Sequence, residues 1–241
     1  MQLDEVATAL NWNVQLPFGQ FVLIQDSSET EGQFLIHHII DSFLKEDHIV
    51  CLVSFSHTLQ HYINVSKKLG RNITSFKAKE QFFFFDYLNN SQSMDSLKSS
   101  DHQSIYQKFK DIKQNAGDKH VCFIIDDLTV LTTNSEKLSD VLSFVKYCRS
   151  LISSQHTFVC LSEIVAVDAE EIEAKLMSEI SHQADLLLAV RPLSTGYSKD
   201  IHGRISILHQ NNTIAGARPL PELLHFVVNE NGVKVFVPGA H

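Results

Sequence analysis

The sequence predicts a three-layer α/β/α domain of the P-loop type, with a mostly parallel central sheet and an antiparallel extension at its C-terminal end. Three observations predict it. Short apolar runs alternate with amphipathic helical stretches along most of the 241 residues. The run Phe21–Ile24 leads through a short polar loop to Gly32 and then to a helical pattern, which is the layout of a phosphate-binding loop. The last apolar runs are joined by the hairpin signal Asn231-Gly232 and not by a helix.

Taken in order, residues 3–11 read as a short helix. Pro17 and Gly19 then punctuate the approach to a strand at 21–25. A helix over 33–46 places Phe34, Ile36, Ile39, Ile40, Phe43 and Leu44 largely on one side. A strand at Ile49–Phe55 is followed by a helix over 59–69, ended by Gly70. The aromatic run Phe82–Phe85 lies within Gln81–Leu88 and reads as a strand buried on both faces. Residues 89–104, rich in Ser, Asn, Asp and Gln, read as a flexible loop within a single domain spanning 1–241. A polar helix over 104–116 ends at Gly117. The strand His120–Ile125 ends in Asp126-Asp127. Next come a helix over 135–152, a strand at Thr157–Leu161 and a helix over 169–182. Strands at Leu186–Val190 and Arg204–Leu208 and a hairpin near 225–237 complete the chain.

The loop before the second helix has the outline of GxxxxGK[ST] without its chemistry. Aligned on Gly32, Ser27 stands where the first glycine belongs, Gln33 at the lysine and Phe34 at the Ser/Thr. The lysine normally reaches the β- and γ-phosphates, and the hydroxyl binds Mg²⁺. Gln33 carries no charge and Phe34 no oxygen. Glu29 and Glu31 add negative charge; a carboxylate about 5 Å from a phosphate charge repels it by roughly 3 kcal/mol at an effective dielectric near 20. From the loop alone, an acidic strand-to-helix turn with no nucleotide ancestry reads equally well. The strand Val121–Ile125 followed by Asp126 has the form of a Walker B strand, whose acid supports Mg²⁺ in an active site. Without a partner ligand at Phe34, no metal or other cofactor is expected.

Other constellations are weaker. His57 and His61 have the i, i+4 spacing of a zinc pair, but Thr58 stands where the HExxH glutamate belongs, so they read as a helix-surface pair. His37 and His38 are adjacent and read as pointing to different parts of a helix surface. No GxSxG elbow occurs. Residues 191–204 join two strands through a long loop carrying Arg191, Lys199 and Arg204, with Tyr197 and His202. Such a loop can contact phosphate and stack a base, so these three cations are RNA-contact candidates; a solvated loop of mixed charge is the plain alternative.

Composition limits the function further. A net charge of −8 argues against a broad basic nucleic-acid surface. No apolar run approaches the ~20 residues that span a bilayer. The N-terminus has early acids and no basic region of a secretory signal. The four cysteines form no CxxC pair, which fits free thiols in a reducing compartment, cytosol or nucleus.

Two resemblances bear on these readings. Leu16–Ile24, leading to Gly32, resembles the start of RecA/KaiC-type ATPase domains, in which a Pro-x-Gly turn precedes the P-loop strand. Leu52–Gly70 resembles the next strand and helix, but Ser54, Phe55, Ser56 and His57 supply no carboxylate where RecA-type enzymes hold a catalytic glutamate. More specifically, Ile180–Leu188 and Leu193–Leu208, supported by Gly32–His38, Ile125–Leu131 and Phe144–Arg149, are similar to the sixth-subunit family of the Elongator complex. Residues 89–118 and the tail after 209 match poorly. The resemblance implies a RecA-like fold without Walker residues and no enzymatic activity of its own. It also implies a hetero-hexameric ring with the fourth and fifth subunits, contact with the remaining Elongator core, tRNA binding, and support of wobble-uridine modification performed by another subunit. The alternatives are a RecA-type NTPase completed by a neighbouring subunit and a RecA-like DNA-recombination mediator.

Overall fold

The structure, a computed structural model, describes residues 4–88, 99–153, 155–164, 171–196, 198–210, 220–230 and 232–239. Its elements in chain order are α1 (Glu5–Ala9), β1 (Phe21–Asp26), α2 (Gln33–Lys45), β2 (Ile49–Ser54), α3 (Leu59–Lys68), α4 (Ile73–Ala78), β3 (Phe82–Asp86), α5 (Ser99–Asn115), β4 (Val121–Asp126), α6 (Leu128–Asn134), α7 (Leu138–Leu151), β5 (Thr157–Glu163), α8 (Glu171–Gln183), β6 (Leu186–Arg191), β7 (Gly203–His209), β8 (Leu223–Asn229) and β9 (Gly232–Phe236).

All nine described strands form one sheet in the order β3-β2-β4-β5-β1-β6-β7-β8-β9. The six strands from β3 to β6 are parallel. β7, β8 and β9 continue antiparallel, so the predicted fold class holds. Side chains alternate between faces along each strand. In β1, Val22 and Ile24 join the apolar cluster under α1 to α4, while Phe21 and Leu23 join the cluster under α5 to α8. Both faces of the central strands are therefore buried, which is why those strands read as unbroken apolar runs. Each large side chain removed from water contributes about 1.5–3 kcal/mol.

Several expectations need correction. Phe82–Asp86 is an edge strand bonded only to β2. Phe82 alone is fully buried, and Phe83 to Phe85 are half-buried. α5 begins at Ser99, so residues 99–104 are helical and not loop; 89–98 lie outside the described residues. Helix α4 had no counterpart in the sequence reading. It is capped by Asn72, whose side chain accepts from the Thr74 N–H. The expected helix over 135–152 is α7, Leu138–Leu151, and it is preceded by α6, a short helix the sequence did not signal, capped by Asp127 accepting from the Thr129 N–H. The hairpin expected near 225–237 is formed by β8 and β9, with Gly232 already paired to Asn229 as the first residue of β9; Asn231 lies outside the described residues.

Parallel strands collect their C-terminal ends at one edge, where ligands of doubly wound sheets bind. Here that edge carries Asp26, Ser54, Asp126, Glu163 and Arg191. The register pairs Asp26 with Glu163 and Ser54 with Asp126.

Candidate functional site

The loop after β1 is folded in on itself. Ser27 and Thr30 exchange backbone hydrogen bonds, 3.3 Å from the Ser27 N–H and 2.9 Å from the Thr30 N–H, around Ser28-Glu29. The Gly32 N–H donates to the Asp26 carboxylate at 2.8 Å. An anion-binding loop needs such N–H groups free to point at phosphate, and here three are committed within the chain. Gly32 itself is explained by close approach. A Cβ there would sit 3.1 Å from the Asp26 Cβ and from a Val190 methyl carbon.

Gln33, at the lysine position, lies at the start of α2 and reaches across to β4. Its amide nitrogen donates to Asp126 Oδ2 at 3.0 Å and lies 2.7 Å from His57 Nδ1. The same carboxylate oxygen accepts from the Tyr62 hydroxyl of α3. Ser54 Oγ accepts from the His57 N–H at 3.1 Å and donates to the His57 carbonyl at 2.8 Å. It lies 3.4 Å from the Tyr62 hydroxyl. Asp126 is fully buried, and its Oδ1 has no partner among the described residues. Burial, then the Asp126 charge, pushes the Tyr62 phenol well above its ordinary range. Phe34, at the Ser/Thr position, turns into the core instead and packs on Phe226 with ring centroids 4.9 Å apart.

Of the histidines read as lying on a helix surface, His37 and His38 are buried, whereas His57 and His61 are half-exposed and only His61 lies on the helix. His57 precedes α3 and packs against His61, with centroids 4.1 Å apart and the rings tilted by 41°. His37 is buried against His61 and Tyr62. Burial, and then the neighbouring imidazoles, lowers its pKa to about 3, so it is a neutral core residue. His38 is also buried and pairs with Asp4 at 2.8 Å. No group of three or more His, Cys, Asp or Glu able to hold a metal ion occurs among the described residues.

The electrostatics of the edge oppose phosphate. Burial raises the carboxyl of Asp26 to about 6, against the Gly32 hydrogen bond, and Asp127, Glu163 and Asp126 push it the same way. Burial likewise raises Asp127 to about 6, with Asp126 and Glu163 adding to it. The sequence signalled Asp126. It did not signal Tyr62, Asp26 or Glu163, which join only through pairings distant in sequence.

The three cations of the 191–204 stretch stand differently. Arg191 and Arg204 are cross-strand partners on β6 and β7. Arg191 donates to the carbonyls of Gln25 at 3.2 Å and Val190 at 2.9 Å. Arg204 is half-buried, with its Nε enclosed and without a partner among the described residues. Lys199 is exposed on the connecting loop. Ser27, Gly32, Gln33 and Asp126 are thus brought to one edge together with Arg191 and Arg204, while Phe34 points away from it.

A family model described as Elongation complex protein 6 matches residues 3–230. Elongator complex protein 6 of Xenopus laevis is 29% identical, covering 93% of this chain and 92% of its own length. The Mus musculus protein is 27% identical over 92% and 91%, and the Homo sapiens protein 26% identical over 79% of each. Among solved structures, flagellar accessory protein FlaH from Methanocaldococcus jannaschii superposes with a TM-score of 0.70 at 14% identity, covering 98% of this chain and 97% of that one. At that identity the likeness is one of fold, and the fold is RecA-like. With the family match running over nearly the whole chain, the protein belongs to the Elongation complex protein 6 family and is an accessory subunit of Elongator.

Proposed function

We propose that this chain works in Elongator as a non-catalytic RecA-fold subunit. It joins the fourth and fifth subunits in a six-membered ring, contacts tRNA, and supports wobble-uridine modification carried out by another subunit. The observation that carries this reading is the bond between Gln33 and Asp126. At the two positions that would grip phosphate and Mg²⁺ in an ATPase, Gln33 instead donates to Asp126, beside a loop that commits three of its N–H groups within the chain. Lys199, exposed on the loop beside the Arg191–Arg204 pair, is the cation best placed to meet an RNA phosphate. Four buried free thiols support a reducing compartment, the cytoplasm with the nucleus as a second site. No helix among the described residues is long and apolar enough to cross a membrane.

The test is genetic and chemical. Loss of the gene lowers modified wobble uridines, and the full chain purified alone turns over no ATP with Mg²⁺. Unchanged nucleoside levels would refute the proposal. A second reading, an NTPase completed by a neighbouring subunit, is favoured by the unpartnered Oδ1 of Asp126. It requires the assembled ring to lose ATP turnover on Asp126→Asn.

A further inference from the structure

Three imidazoles meet beside the Gln33–Asp126 contact. His37 comes from α2, His57 from the turn before α3, and His61 from α3 itself. Ring centroids lie 4.1 Å apart for His57 and His61, and 5.3 Å apart for His61 and His37. Tyr62 joins them, 5.2 Å from His37 and 5.5 Å from His61 by the same measure. The Tyr62 hydroxyl donates to Asp126, and Gln33 links His57 to that same carboxylate. The contact of α3 with α2 and with the end of β4 therefore runs through rings that can take up protons.

The cluster is built for the neutral forms. A protonated imidazole has two N–H donors, and both need acceptors. His37 is 8% exposed, and its ring makes contacts with His61 and Tyr62 but no hydrogen bond among the described residues. His61 Nε2 is enclosed and also lacks a partner among them. A proton on each of His37 and His61 would put like charges on rings 5.3 Å apart, which repel. The surrounding groups do not offset this. Burial, then His57, holds the His61 pKa below its ordinary range, although Asp126 of β4 and Glu31 of the loop before α2 pull the other way. Burial, then His61, His38 and His57, holds His37 at about 3. Asp41 and Arg71 line a small cavity with His37 and with Ile73 of α4, and they are bonded to one another at 2.7 Å. Ser54 of β2 and Phe84 of β3, which face Tyr62, do not titrate. In water an imidazole takes up a proton near pH 6.5. Both depressed groups therefore favour the closed cluster above about pH 6.5, and that preference is lost as pH falls toward their folded values.

We infer that His37, His57 and His61 form an acid-sensitive latch: proton uptake by the cluster releases α3 from α2, breaks the Tyr62–Asp126 bond and uncovers the edge that carries Asp126. The latch needs neither a ring nor RNA, so the isolated full chain tests it. Hydrogen exchange is followed from about pH 7.5 to about pH 5, with rates corrected for the intrinsic effect of pH on exchange. The opening constant of α3 should rise below about pH 6.5, by about tenfold per pH unit for each histidine that gains a proton on opening. His37→Leu should flatten that rise by about tenfold per pH unit. The buried strands β1 and β4 are the reference, since their exchange reports opening of the whole fold. An opening constant of α3 that does not change with pH, a rise shared equally by β1 and β4, or an unaltered slope in folded His37→Leu overturns the latch. Should the variant not fold, imidazole nitrogen NMR shifts of the wild type decide. Rings of His37 and His61 that stay neutral while α3 is protected support the latch; rings charged with α3 still protected overturn it.

Discussion

Gln33 donates a hydrogen bond to Asp126 across 3.0 Å, joining the first residue of α2 to the last residue of β4. These are the two positions at which a P-loop enzyme would hold phosphate and metal. Gln33→Leu removes a donor from a fully buried carboxylate, which costs about 1–3 kcal/mol by urea unfolding. Gln33→Lys restores a cation, but Phe34 still offers no oxygen and the loop N–H groups stay committed. The Lys variant of the isolated chain should therefore show no Mg-dependent ATP turnover. Turnover in Gln33→Lys alone would mean that the site is missing only its lysine.

Asp127 gives a pH dependence whose sign can be fixed. Its carboxyl sits at about 6 in the fold, against about 3.9 unfolded. The fold therefore holds the proton more tightly, and the resulting stability is fully present below about 3.9 and lost as pH rises through 6. At pH 8 the buried charge opposes folding. Asp127→Asn removes that charge while its side-chain oxygen still caps the Thr129 N–H. Chemical denaturation should show the variant about 1–3 kcal/mol more stable than wild type at pH 8, with the gap closing by pH 4. A pH-independent difference would rule this out.

How much of this was legible in the sequence follows from how local each feature is. The spacing of Ile36, Ile39, Ile40 and Phe43 marked α2, and the apolar run into Asp126 marked β4, because both signals lie within one element. The partners of Asp126 come from Gln33 and Tyr62, on two other elements, and only the sheet order brings them together. The aromatic run of β3 suggested a strand buried on both faces. Phe83 to Phe85 are instead half-covered at an edge, with Lys108 of α5 lying 4.9 Å from the Phe85 ring centre. The start of α5 looked like loop because its solvent face is polar, although His102, Ile105 and Phe109 keep helical spacing and are buried.

Gly203 is required by space. A Cβ at this first residue of β7 would stand 2.7 Å from the Arg191 carbonyl oxygen and 2.8 Å from the Phe226 ring. The carbonyl belongs to a paired strand and cannot retreat cheaply. Gly203→Ala should cost about 1–3 kcal/mol, the usual penalty of overpacking, and Gly203→Val more. Wild-type stability for Gly203→Ala would show that β6 and β7 separate more easily than their pairing indicates.

Lys199 tests the RNA side of the proposal without disturbing the fold. It is exposed on the loop between β6 and β7 and appears in no ion pair among the described residues. Its removal should therefore leave the melting temperature unchanged. If it neutralises one phosphate, Lys199→Ala in the assembled ring weakens tRNA binding similarly across tRNAs. It also lowers the slope of log affinity against log salt by about 1. The slope is the discriminating measurement, because a variant that merely disturbed the loop would lose affinity without releasing one fewer counterion. Affinity and slope both equal to wild type would remove Lys199 from the RNA contact.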